Sequence, residues 1–338
     1  MLTIRDLSLQ HAQTIVQEIT TTCNLRCPTC RVTQSQQKPY FMGFSEFVQI
    51  CHNIIPYLRR ARVYNISSSE SLLHPRCFDM IDVVKSINPG VFVSIITNGM
   101  LLDDRKQEAL LKRGINMICV SIDGAKKETT EKIRIGSNFE TVIRNTRGFI
   151  AKGGMVRTIY TVRDNNIMDI GDFVDLADDL GIWQIKCTGI VTYTQADVEH
   201  CTYSYEGFPE IDSMLRQAAE KAKAKRIEFT YRPTKLVEGD GFCCLAQTMY
   251  IGVHGDVYPC VYFSEPTSLS FMGKSRITEP ICWGNALETP IDKIWLSNES
   301  LTFRQGIMNG TNCDLCGMRY VPACGMPKNP KKYPEVGK

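Results

Sequence analysis

Short runs rich in β-branched and aromatic residues alternate, along the first two-thirds of the chain, with longer stretches of helical periodicity. Runs at 14–19, 62–67, 91–97, 117–122, 156–162 and 183–190 read as strands, and stretches at 44–58, 78–86, 103–112, 139–152 and 170–180 read as helices. Six strand–helix units in series imply an α/β fold with a parallel sheet and right-handed crossovers. A doubly wound sheet and a barrel, complete or partial, satisfy that pattern equally, and periodicity leaves the two open. A polar, lysine-rich helix at 210–225 and a strand at 227–231 follow. After Arg232-Pro233 the texture changes to short strands, glycine turns and cysteines, which places a domain boundary near 235: a first domain over 1–235 and a second over 236–338.

Composition narrows the class of protein. The 338 residues are 43% hydrophobic and 22% charged, enough for a buried core and against long disorder. A net charge of +3, with no basic run interleaved with aromatics, argues against nucleic acid as a partner. No apolar stretch reaches the roughly 18 residues of a membrane span. The opening Met1-Leu2-Thr3-Ile4-Arg5-Asp6 lacks the layout of a signal peptide. The expected location is the cytoplasm, without membrane attachment. No internal repeat or low-complexity tract interrupts the pattern.

Fifteen cysteines change the picture. In a reducing compartment, cysteines at short spacing point to metal, whereas scattered ones are core residues. Cys51, Cys77, Cys119 and Cys187 fall inside predicted helices or strands and read as buried thiols. Cys23-Asn24-Leu25-Arg26-Cys27-Pro28-Thr29-Cys30 instead forms a loop directly after the first strand, at the end where parallel sheets gather their active sites. Three thiolates in eight residues can hold three corners of a [4Fe–4S] cube and leave the fourth iron open to a ligand. A zinc knuckle is the alternative, but zinc usually takes four protein ligands, and the nearest further donors, Cys51 and His52, sit in a helical pattern.

This C-x3-C-x2-C loop resembles the signature of the radical S-adenosylmethionine (radical SAM) superfamily, and further motifs follow in that family's order. Ser67-Ser68-Ser69-Glu70-Ser71-Leu72-Leu73-His74-Pro75, after the second strand, is similar to the family's G-G-E-P-L-L-H-P segment, which contacts the cofactor's amino group. Serines here replace both glycines and the first proline. Thr97-Asn98-Gly99 and Ser121-Ile122-Asp123-Gly124 end the third and fourth strands. By resemblance, Ser121 and Arg134 bind the cofactor carboxylate, and Ser69, Glu70 and Asn98 complete its site. A guanidinium suits a carboxylate because its planar fork meets both oxygens. Over residues 14–325 the resemblance implies a partial (β/α)6 barrel of the TIM type, a [4Fe–4S] cluster on Cys23, Cys27 and Cys30, and bound S-adenosyl-L-methionine. It also implies an external one-electron donor such as flavodoxin or ferredoxin. The activity implied is reductive cleavage of the cofactor to methionine and a 5′-deoxyadenosyl radical, which takes hydrogen from substrate.

A second cysteine group lies near the C-terminus. Runs at 249–253 and 257–258 flank His254-Gly255-Asp256 and read as a hairpin, with Cys244 before it and Cys260 after it. Cys313-Asp314-Leu315-Cys316 follows. Two such pairs can supply a tetrahedral set for a fully ligated cluster or a structural zinc. The layout resembles the SPASM/twitch extension, and its sparse cysteines imply one auxiliary [4Fe–4S] cluster on Cys244, Cys260, Cys313 and Cys316, with Cys243 a competitor for Cys244. Cys282 and Cys324 read as core residues, with spare ligand or substrate-facing thiol as the alternatives. A small-molecule substrate (sugar, nucleoside or natural-product precursor) is the expectation, with dehydrogenation preferred over epimerisation or carbon–carbon bond formation. A peptide- or protein-modifying maturase is the second reading: only 22 residues precede Cys23, which counts against an N-terminal peptide-recognition domain. A non-catalytic iron–sulfur or zinc redox protein is the third. No residue is assigned to catalysis at the substrate.

Overall fold

The structure is a computed structural model that describes residues 10–67, 69–235, 244–271 and 274–308. Up to residue 230, strands and helices alternate: β1 (Thr14–Gln17), α1 (Phe44–Asn53), β2 (Val63–Ile66), α2 (Cys77–Ile87), β3 (Phe92–Thr97), α3 (Asp104–Lys112), β4 (Met117–Ser121), α4 (Lys127–Ile133), α5 (Phe139–Ala151), β5 (Val156–Val162), α6 (Ile170–Leu180), β6 (Gln184–Gly189), α7 (Gln195–Glu199), α8 (Pro209–Ala224) and β7 (Glu228–Thr230). Strands β1 to β7 are parallel and pair in sequence order. Helix starts follow side-chain capping: Asp103 accepts the Lys106 N–H at the head of α3, and Asn138 accepts the Thr141 N–H at the head of α5. Gly181 closes α6 in the left-handed region, at φ 78°, where a side chain would be strained.

Alternation along the strands separates two faces. Ile15, Tyr64, Val93, Ile118 and Ile185 point outward and share one core with Phe47, Ile50, Met80, Ile81, Phe149 and Phe173 of the helices. Each such side chain contributes about 1.5–3 kcal/mol by leaving water. The inward face is filled at its N-terminal end by a separate cluster, Phe92, Met117 and Cys119 with Val63, Ile96, Ile159 and Trp183 around them. Toward the C-terminal ends of the strands the inward positions turn polar: Thr161 and Thr188 share a register position. The sheet is therefore a partial barrel with a greasy floor and a polar mouth.

One expected helix is broken. The stretch 44–58 forms α1 and then, after Ile54, a single turn at Ile55–Leu58. Pro56 has no N–H to donate and its ring crowds the preceding turn, so the chain restarts there.

Beyond residue 235, the expected hairpin forms from β8 (Thr248–Ile251) and β9 (Asp256–Tyr258). Strand β8 lies parallel to β1, so these segments extend the barrel sheet at its β1 edge. A separate antiparallel pair, β10 (Thr267–Phe271) and β11 (Lys274–Thr278), is followed by β12 (Gly284–Asn285), which pairs with β9. Helices α9 (Ile291–Trp295) and α10 (Asn298–Met308) close the described chain. Among the described residues, no helix is long and apolar enough to cross a membrane.

Candidate active site

The cysteine loop leaves β1 at the C-terminal end of the sheet and is braced by the returning segment before α1. Thr20 Oγ1 donates to the Tyr40 carbonyl at 2.8 Å, Thr21 Oγ1 donates to the Lys38 carbonyl at 2.9 Å, and Thr20 bridges Phe41. Leu25 is buried beneath the loop, and the Arg26 N–H donates to the Ile135 carbonyl at 3.0 Å. Cys30 caps the single helical turn Arg31–Gln34. The thiols of Cys23, Cys27 and Cys30 are all half-buried, and none is in a disulfide.

The three thiols feel one another. Burial pushes the Cys27 thiol up to about 11, Arg134 pulls it down, and Cys30, Asp123 and Cys23 add to the rise. Burial also raises Cys23, against the Leu25 N–H that points at its sulfur. Iron binding here must therefore displace protons. Among the described residues, no three His, Cys, Asp or Glu side chains are arranged to hold a single metal ion. A cube takes one thiolate per iron and can leave its fourth iron open, so three thiols in one loop suit a cluster, whereas zinc usually takes four protein ligands.

Arg134 follows α4 and pairs with Asp123 at 2.8 Å, the two side chains 15% and 3% exposed. Burial works against its charge, but Asp123, Cys27 and Cys30 outweigh that and raise its pKa. Its Nε has no partner among the described residues. Asn98 follows β3 and reaches the loop: Nδ2 donates to Asn24 Oδ1 at 2.8 Å and lies 3.8 Å from Cys23 Sγ. Gly99 follows with φ 80°, and a Cβ there would press on Val120 and Val142, so glycine lets the turn pack tightly. Ser121 is half-buried at the C-terminal end of β4, in register with the inward-facing Ile159.

Glu70 is 1% exposed, and its carboxylate is occupied by the fold. It accepts from Thr97 Oγ1 and the Asn98 N–H, each at 2.8 Å, and from the Leu72 N–H at 3.2 Å. Its own N–H donates to the Thr22 carbonyl, so one residue ties the ends of β1, β2 and β3 together. His74 is likewise internal: Nδ1 accepts the Arg76 N–H at 3.0 Å, which leaves Nε2–H to donate to the Met42 carbonyl at 2.9 Å. Ser69 is half-buried, and Ser68 lies outside the described residues. Around these loops Thr22 Oγ1, Asn65 Oδ1, Ser69 Oγ and Arg134 Nε are buried without a partner among the described residues. Buried polar atoms are almost always satisfied. Such a set fits a polar, zwitterionic ligand beside the cysteines.

Sequence reasoning missed two features. Arg31, next to Cys30, pairs with Glu18 at 2.6 Å and Glu265 at 2.8 Å, and Ser35 Oγ donates to Glu265 at 2.7 Å. This links the end of β1, the cysteine loop and the extension; adjacency to Cys30 was its only signal. Arg163, after β5, was the other, and an arginine at a strand end reads as an ordinary solvated charge. A small cleft open to solvent is lined by Val162 and Thr188 from the ends of β5 and β6, by Thr202, and by Tyr231, Arg232 and Thr234 after β7. None of Cys23, Cys27 and Cys30 lines it.

In the extension, the backbone of Cys244 precedes β8 and Cys260, which is buried, follows β9, at the same end of the hairpin. Cys243, Cys313, Cys316 and Cys324 lie outside the described residues. Cys282 is exposed, which corrects its reading as core: the turn before β12 leaves its sulfur at the surface, 3.5 Å from the Gly284 carbonyl. Cys51, Cys77, Cys119 and Cys187 are buried as expected.

Residues 18–177 match the family model of the Radical SAM superfamily, and residues 243–318 match that of SPASM, an iron–sulfur cluster-binding domain. The tungsten-containing aldehyde ferredoxin oxidoreductase cofactor-modifying protein of Pyrococcus furiosus is 23% identical over 313 residues, covering 89% of this chain and 86% of that one. The PqqA peptide cyclase of Streptomyces rochei is 24% identical over 314 residues, covering 86% and 77%. The fold is similar to that of Streptococcus suis SuiB bound to precursor peptide SuiA, with a TM-score of 0.70, 14% identity, and coverage of 88% of this chain and 67% of that one.

Proposed function

The chain belongs to the radical SAM superfamily and carries a SPASM domain, and from that premise we propose that it is a maturase acting on a peptide or protein. The family brings a [4Fe–4S] cluster and S-adenosylmethionine, and the SPASM domain brings auxiliary iron–sulfur binding. When bound, and with the cluster reduced by an external one-electron donor, the pair would supply reductive cleavage of the sulfonium cofactor to methionine and a 5′-deoxyadenosyl radical able to take hydrogen from unactivated carbon.

The chain's own residues prepare that chemistry. Cys23, Cys27 and Cys30 would hold three irons and leave one open, because no fourth donor stands in their loop. Ser121 and Arg134 would receive the cofactor carboxylate, Arg134 offering the Nε–H it has not used. Ser69 and Asn98 would offer polar atoms near the amino group, while Glu70 holds the loops in place through the three donors it already binds. Leu25 and the braced loop limit water around the sulfurs. Cys244, Cys260, Cys313 and Cys316 would give the extension a four-thiolate set, about eight irons per chain in all. That set leaves no open position for substrate, so electron transfer is its duty and the net reaction an oxidation of the substrate.

The observation that carries the peptide reading is the match along most of its length to a protein named PqqA peptide cyclase. SuiB adds that this barrel can be found with a precursor peptide bound. These relatives reverse the order of the sequence-based expectation, which put a small molecule first. The Pyrococcus furiosus relative, named as cofactor-modifying, supports the small-molecule reading as the second. Anaerobic turnover with a pool of short genome-encoded peptides, read by mass spectrometry, tests the choice. A peptide losing two hydrogens per 5′-deoxyadenosine formed is expected. Modification of a metabolite extract alone would overturn the peptide reading.

A further inference from the structure

Arg163 stands one residue beyond β5, on the alternation that carries Ile159 into the barrel floor and stacks Arg157 on Trp183 at 5.8 Å. Its guanidinium crosses from the β5 side of the mouth to the loop after β1, where Nη1 donates to Thr29 Oγ1 at 3.3 Å. The residue is only 6% exposed. Among the described residues, the guanidinium makes this one long hydrogen bond, and Nε has no partner. Among the described residues, no carboxylate lies within ion-pair distance of it.

The acids whose charge reaches Arg163 are Asp123, Asp197 and Asp164, and each is committed elsewhere. Asp123 holds Arg134 at 2.8 Å and the Thr161 N–H at 2.6 Å. Asp197 caps α7, accepting from the Thr194 N–H at 2.8 Å and Thr194 Oγ1 at 2.9 Å. Asp164 accepts from His200 at 2.7 Å. The backbone beneath is fixed: the Arg163 N–H donates to Asn166 Oδ1 at 2.8 Å, and Asn166 Nδ2 holds the Asp123 and Thr161 carbonyls. A buried cation without its own anion is costly, and folds keep such groups where something pairs with them.

We infer that Arg163 is a substrate-binding residue that pairs with a carboxylate on the substrate, an acidic side chain or a C-terminal carboxylate, at the barrel mouth. The forked guanidinium matches both carboxylate oxygens, and its unused donors are already oriented. Arg163 is distinct from Arg134, which lies in the field of Cys27 and Cys30. The inference rests on the barrel mouth being the place where substrate is received, and it holds whether that substrate is a peptide or a smaller acid.

The same carboxylate chemistry could come from S-adenosylmethionine, so the test separates the two sources. Reconstituted wild type, Arg163→Gln and Arg163→Lys, each saturated with S-adenosylmethionine, are titrated calorimetrically with glutarate and with its neutral counterpart glutaramide. Glutarate should bind wild type about tenfold more tightly than glutaramide, lose about tenfold in Arg163→Gln, and recover part of that in Arg163→Lys. Affinity for S-adenosylmethionine should stay within about twofold across the three proteins. Equal binding of the two probes, or no dependence on residue 163, would overturn the assignment. A loss of about tenfold in S-adenosylmethionine affinity in Arg163→Gln would give the carboxylate to the cofactor and overturn it as well. Should Arg163→Gln fail to fold by circular dichroism, the probe comparison in wild type and Arg163→Lys still decides. Failure of wild type to make 5′-deoxyadenosine would count against the proposed function, whatever glutarate does.

Discussion

Arg134 has two duties that a substitution can separate. It neutralises Asp123, and it presents an unpaired Nε–H beside the cysteine loop. Arg134→Ala should weaken S-adenosylmethionine binding by about 1.5–3 kcal/mol, the worth of a charge-assisted contact, measured by equilibrium dialysis under argon. Unchanged affinity would mean that Arg134 serves Asp123 alone. His74 gives a prediction of a different kind. Burial lowers its pKa below the ordinary 6.5, so the folded protein holds it neutral where the unfolded chain has begun to take up a proton. Its contribution is therefore fully present above 6.5 and is lost as pH falls through its lowered folded value. Urea denaturation between about pH 7.5 and pH 5 should show stability falling more steeply in wild type than in His74→Gln. Parallel curves would contradict that. The tail Leu72-Leu73-His74-Pro75 could be noticed in the sequence as a motif. That its histidine staples a turn to Met42 could not, because the acceptor is a backbone carbonyl 32 positions away.

Helix α1 is one of the elements that join the barrel to the extension. Phe47, Ile50 and Cys51 face the core, while Gln49 and Asn53 face the other way. Asn53 Nδ2 donates to the Ala286 and Thr289 carbonyls at 2.7 and 2.8 Å, and its Oδ1 accepts the Ile291 N–H at 2.9 Å. Removing it strips partners from three backbone groups. Asn53→Ala should cost about 1–3 kcal/mol of stability and speed amide exchange at Ile291 in particular. Unaltered exchange at that amide would show that α1 does not hold the extension. Strands β1 to β6 were legible because their apolar runs are bounded by turn residues, and period-2 and period-3.6 patterns differ locally. Which edge of the sheet β8 would join was not, since no local pattern in 248–251 distinguishes a parallel place beside β1 from any other edge.

At the scale of the molecule, placing β8 beside β1 brings the extension to the cysteine loop. The buried link of Glu18, Arg31 and Glu265 then runs from the barrel through the loop into the extension, so the loop is held from both sides. The cysteines themselves were legible because chemistry fixes their spacing. Arg31, Glu265 and Arg163 were not, because their roles depend on residues up to 234 positions apart. This arrangement gives a rigid platform for Cys23, Cys27 and Cys30 beneath a polar mouth, and the central claim is that those three thiols start radical cleavage of S-adenosylmethionine. The direct measurement is 5′-deoxyadenosine formed by anaerobically reconstituted protein with a strong reductant, quantified by liquid chromatography. Wild type should produce the nucleoside and the Cys23→Ala/Cys27→Ala/Cys30→Ala variant none. Equal formation by the two proteins, or none by wild type loaded with iron and cofactor, would contradict the account.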